Sequence, residues 1–168
     1  QWHLMNVYRS TDRFDLAIKA GTRALRLAKA HDLHERLAYI LHDLAAMYIS
    51  IDWVASLTYN EQAMTLWREL NNTPMYLESM NLYSLQQSFI GKYDEALKGA
   101  EETFEIGTLI NNQWALTYSY YVMTSVYLQK MEISNALTAA KTSLAIAIES
   151  DTLGGQITMN FLLGMLYL

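Results

Sequence analysis

One spacing constrains this chain more than any other feature. Phe14, Trp53, Tyr93 and Ile133 follow one another at intervals of 39, 40 and 40 residues. Three residues after each stands a small one: Ala17, Ser56, Ala96 and Ala136. The next position holds a branched aliphatic, Ile18, Leu57, Leu97 and Leu137. Further on come Leu27, Leu66, Ile106 and Ile146, then Asp32, Asn71, Asn111 and Asp151, the last set being types that favour turns and helix caps. Independent columns at one interval define an internal repeat. A unit of this length buries its apolar face only by stacking on its neighbours.

Within each repeat, apolar residues recur at three and four, the period of a helix rather than a strand. The clearest joint lies at residues 89–97, where Gly91 follows an apolar run and can close a helix in the left-handed conformation. Tyr93 and Ala96 then share one face of the next helix. The chain reads as paired helices. The second member of each pair lies near 12–31, 53–70, 93–110 and 133–149. The first members lie near 34–50, 74–89, 113–129 and 154–168, with 1–10 as the tail of an earlier one. Thr73 reads as a cap, with Pro74 in the first turn after it. The small column lets helices approach closely, and the aromatic three residues before it fills the adjoining groove.

Composition bounds the rest. The 168 residues are 52% apolar and only 17% charged, so large faces must be covered. One proline, seven glycines and no low-complexity linker argue for a single domain over 1–168. No apolar run approaches the ~20 residues of a membrane helix, and no signal-peptide pattern is present. The absence of cysteine excludes disulfides, thiolate catalysis and cysteine-ligated metal. A net charge of −5 disfavours nucleic acid as a partner. A cytoplasmic protein without cofactor, membrane or nucleic-acid partner is expected.

Candidate chemistry is sparse. His31-Asp32-Leu33-His34-Glu35 is the densest set of potential metal ligands, but it reads as an interhelical turn, and no metal site is expected. His42 and Glu78 are placed to face each other across neighbouring first helices, as a hydrogen-bonded pair rather than a catalytic one. Asp94, Glu95, Glu101, Glu102 and Glu105 read as a solvated face. Tyr8, Tyr93, Tyr127 and Tyr167 fall in repeat columns and are expected in the core.

The joint Gly91-Lys92-Tyr93-Asp94-Glu95-Ala96, together with Leu163-Gly164-Met165-Leu166-Tyr167, resembles the tetratricopeptide repeat family. The family's repeat is 34 residues, shorter than this one, and its Phe four beyond the small Ala is here Gly21, Asn60, Ala100 and Ala140. Longer repeats of this kind are similar to those in sensor regions of bacterial signal-transduction ATPases and maltose-activator-type transcription regulators. They are similar, too, to those of peptide-pheromone receptors. The resemblance implies an all-α fold, a right-handed α-α superhelix of about four hairpins, whose concave wall is lined by the first helices. It places Asn6, Arg9, His42, Tyr48, Glu78, Asn81, Tyr118, Tyr121 and Ser125 along that groove. The positions matching the family's clamp for acidic chaperone tails are Trp2, Asn6, His42, Glu78 and Leu82. Only Asn6 agrees, which argues against that ligand.

The resemblance implies a non-enzymatic scaffold that binds a protein or peptide segment, as a sensor or docking region of a bacterial regulator. A small-molecule sensor and a self-association module are the alternatives. Residues 1–10 form a helix without its beginning, and residues 161–168 are an apolar helix end where a polar terminal face is expected. The chain therefore reads as a segment of a larger protein, or as one that pairs with another copy through these ends.

Overall fold

The computed structural model describes residues 1–167. Leu168, on which the expected last helix closes, lies outside them. Among the described residues there are nine helices and no strand: α1 Trp2–Ser10, α2 Phe14–Ala30, α3 His34–Tyr48, α4 Trp53–Glu69, α5 Thr73–Phe89, α6 Tyr93–Leu109, α7 Gln113–Gln129, α8 Ile133–Glu149 and α9 Leu153–Leu166. The helices α2, α4, α6 and α8 begin at the four residues of the first repeat column.

The turns are built alike, and their chemistry sets them. Asp12, Asp32, Asn71, Asn111, Met131 and Asp151 all hold φ between 51° and 60°, and Gly91 holds 79°. Each left-handed residue reverses the backbone so that the next N–H reaches back into the helix just ended. Arg13, Leu33, Asn72, Lys92, Asn112, Glu132 and Thr152 thereby donate to the carbonyls of Tyr8, Ala28, Trp67, Gln87, Gly107, Tyr127 and Ala147 at 2.8–3.0 Å. This is the Schellman closure, which satisfies carbonyls that a helix end leaves orphaned. The α3–α4 turn differs. It passes through Ile49 in right-handed geometry, and Asp52 then caps α4 by accepting from Ala55 N–H at 3.0 Å. The cap of α5 is Asn72, whose Oδ1 accepts from Met75 N–H at 3.2 Å; Thr73 is already helical, so the helix begins one residue earlier than the sequence suggests.

The chain divides into two compact units, Gln1–Ser79 and Met80–Leu168. In the first, Met5, Ala17, Ala20, Ala24, Ala28, Ile40, Leu44 and Met47 form one buried cluster, while Ala38, Leu41, Ala63 and Trp67 form a second. Gly21 explains why the family's Phe is missing here: the place of its absent Cβ lies 2.5 Å from Met5 Sδ and 2.7 Å from Leu44 Cδ2. Ser56 donates to the Ala45 carbonyl at 2.7 Å and Asn60 to the Ser79 carbonyl at 3.1 Å, tying α4 to the helices on either side.

The second unit packs the same way around a more polar interior. Ala96, Ala100, Val122, Val126, Ala136 and Ala140 are fully buried, alongside Thr103, Ser119, Thr124 and Ser143. Ser143 donates to the Thr117 carbonyl at 2.9 Å, and Asn81 to the Ala115 carbonyl at 3.2 Å.

Three column expectations are corrected. Phe14 and Ile133 are 48% and 41% exposed, so the first column fills a groove only at Trp53 and Tyr93, which are half-buried. Tyr167 is 65% exposed rather than core, because among the described residues nothing after α9 covers its ring, which instead lies 5.8 Å from Lys141 Nζ.

Candidate functional site

Helices α1, α3 and the start of α5 bring the first unit's polar side chains together. On α1, Trp2, Asn6 and Arg9 lie one turn apart on one face. Asp43 of α3 spans that face: its Oδ2 accepts from Trp2 Nε1 at 2.7 Å, and its Oδ1 lies 3.7 Å from Arg9 Nη1. Asn6 sits between these two anchors with its Oδ1 buried and no donor against it among the described residues. The Trp2 ring stacks on Tyr39 at 5.4 Å and carries the Arg36 guanidinium 4.8 Å from its centroid; Tyr39 meets the buried Trp67 edge-on at 4.8 Å.

One helix further, His42 Nδ1 lies 2.9 Å from Ser79 Oγ, and its Nε2 lies 3.7 Å from Glu78 Oε1. Burial is the main influence on this histidine and pushes its pKa down, with Arg9 adding to that and Asp43 opposing it. Burial, and then Asp43, push the Glu78 carboxyl up. The histidine is therefore held neutral. The tautomer that satisfies all groups has Ser79 O–H donating to Nδ1 and Nε2–H turned towards Glu78. The result is a row of acceptors in which Arg9 stands by Asp43 and the Glu78 carboxyl stands by His42. Next to it, an open cavity of about 300 Å³ lies between the start of α1, the end of α2 and α3, lined by Trp2, His3, Leu27, Leu33, Arg36 and Ile40.

The remaining expected groove residues lie elsewhere. Tyr48 packs edge-on against Tyr59 at 5.5 Å and against the first buried cluster. Asn81 is 1% exposed, its amide donating to the Ala115 carbonyl and its Oδ1 accepting from Ser119. Tyr118 lies 4.5 Å from Trp114 and 5.7 Å from Tyr121, forming an aromatic run along α7, and burial pushes the Tyr121 hydroxyl's pKa up. Ser125 Oγ accepts from Gln129 Nε2 at 3.3 Å. Among the described residues, no three His, Asp or Glu side chains converge as metal ligands. Residues 31–33 form the α2–α3 turn and His34 and Glu35 open α3, while the acidic residues of α6 are exposed. Asp43 falls in none of the positions that the repeat resemblance assigns to the groove. A signal was present: it is the one charged residue in α3 beyond Arg36, set among buried neighbours.

No family model matches the chain, and no curated protein matches it. Among solved structures, the apo form of RapI superposes with a TM-score of 0.79 at 16% sequence identity. The alignment takes in 99% of this chain and 61% of RapI, so the chain spans about three-fifths of that protein's length. The fold is a helical repeat. At this identity RapI informs on architecture alone. No helix among the described residues is long and apolar enough to cross a membrane.

Proposed function

We propose that this chain is a tetratricopeptide-like scaffold of 39–40-residue repeats that binds an extended protein or peptide segment. Its binding face in the first unit is formed by Asn6, Arg9, His42 and Glu78, with Asp43 and Trp2 positioning them. The observation that carries this reading is the unfilled hydrogen-bonding capacity at that face. A buried Asn6 oxygen has no donor among the described residues, and the Glu78 carboxyl, about a third exposed, lies 3.7 Å from a neutral histidine. An extended backbone or a side-chain amine supplies the missing donors. The proposed role is a docking or sensing part of a larger regulator, and it requires no turnover. The RapI-like architecture supports a scaffold of this kind.

The test is selection of a random peptide library on the chain, followed by anisotropy titration of the enriched sequences. Arg9→Ala, His42→Ala and Glu78→Ala should each weaken binding about tenfold, since lost hydrogen bonds to charged groups are worth about 1.5–3 kcal/mol. Enriched peptides indifferent to all three substitutions would overturn the assignment. The cavity beside Trp2 favours a second reading, a small apolar ligand, because about 300 Å³ is the lower end of ligand-pocket sizes. Stabilisation by a metabolite set, lost on Leu33→Asp, would support it.

A further inference from the structure

An exposed face of α2 carries a stripe of cations. Lys19, Arg23 and Arg26 follow at four and three residues, Lys29 stands three beyond, and all are exposed. None of them forms an ion pair among the described residues. The matching stripe on α6 is acidic. Shifted by the repeat, Thr22, Arg23 and Arg26 become Glu101, Glu102 and Glu105, again exposed and without ion pairs among the described residues. One turn beyond Glu105, Leu109 is 84% exposed, and one turn before Lys19, Leu16 is 39% exposed. Each charged stripe thus has an exposed leucine at one end, so that a partner helix could match it in both charge and apolar contact.

We propose that α2 of one copy docks antiparallel against α6 of a second copy. In the antiparallel register Leu16 meets Leu109, Lys19 meets Glu105, Arg23 meets Glu102, and Lys29 meets Glu95. Only Arg26 faces a like charge, Lys98, and Glu102 lies one turn from it. A parallel register sets Lys19 on Lys98, Leu16 on Glu95 and Leu109 on Ala30, so charge and apolar matching both favour the antiparallel one. A polyanion fits the cations of α2 less well. It leaves Leu16 and the whole of α6 uncovered, and it approaches a chain of net charge −5.

The experiment is sedimentation velocity on the chain across concentration, at about 0.05 M and about 0.5 M sodium chloride, where the Debye length falls from above ~10 Å to below ~8 Å. The weight-average mass should rise with concentration at low salt and return to the monomer value at high salt. A double variant Arg23→Glu with Arg26→Glu should be monomeric, and so should Glu102→Arg with Glu105→Arg. Mixed in equal amounts, these two variants regain complementary faces and should associate as the parent does. These residues are exposed, so unchanged circular dichroism is expected for all. A parent that stays monomeric at low salt would overturn the proposal. So would a mixture that fails to associate, or heparin binding by a monomeric parent that is lost on Arg23→Glu with Arg26→Glu.

Discussion

At the scale of the residue, the asparagine pairs of the turns divide their labour. Asn71 and Asn111 take the left-handed backbone, whereas Asn72 and Asn112 accept from the third N–H of the helix that follows. The sequence column at 32, 71, 111 and 151 marks the turn correctly, but side-chain type alone does not separate the reversing residue from the capping one. The two roles predict different costs. Asn112→Ala should lower stability by about 1 kcal/mol in chemical denaturation, and Asn111→Gly should not. Gly91 and Met131 make a second comparison. Nothing lies within 4 Å of a Cβ built on Gly91, so the cost of Gly91→Ala, about 1 kcal/mol, is backbone strain alone. Met131 already bears that strain at φ 60° and is 78% exposed, so Met131→Gly should stabilise, by up to about 1 kcal/mol. His42 and Glu78 predict opposite pH trends. The folded pKa of His42 lies below its ordinary 6.5, so its contribution is complete above that value and is lost as pH falls below it. The folded pKa of Glu78 lies above its ordinary 4.5, so stability is lost as pH rises through the folded value. Thermal melts from pH 4.5 to 7.5 should therefore show His42→Asn converging on the parent in acid, and Glu78→Gln gaining on it towards neutrality.

At the scale of the element, helix positions were legible because the apolar period and the turn residues agree. The start of α2, α4, α6 and α8 is written in one column. What the columns do not carry is which partner a side chain meets. Asn81 falls on the expected face of α5 and yet is buried in a bond to α7, and Tyr48 packs on its own hairpin. Arrangement across helices depends on rotamer and neighbour size, which no single column records. The small column is the exception, since Ala17, Ser56, Ala96 and Ala136 are all fully buried at helix contacts. Ala96→Leu should therefore cost about 1–3 kcal/mol through overpacking. Hydrogen exchange should place the loosening in α5, α6 and α7, leaving α2 and α3 at their original protection. Uniform loosening across every helix would contradict nearest-neighbour stabilisation.

At the scale of the molecule, the repeat leaves a problem of its own. Helices built on one column pattern can pair in the wrong order or slip by a turn, and misassembly of this type is characteristic of repeat chains. Hydroxyl and amide bonds cross between helices to main-chain carbonyls, among them Ser56 to Ala45, Asn60 to Ser79, Asn81 to Ala115 and Ser143 to Thr117, and the polar donors Asn60 and Asn81 have no polar amide at the matching position of the next repeat. Each fits one acceptor on one neighbour. A slipped pairing strands them in an apolar seam, at about 1–3 kcal/mol apiece. These polar groups work as keys cut differently for each lock: they add little to the depth of the native state and raise the floor beneath its impostors.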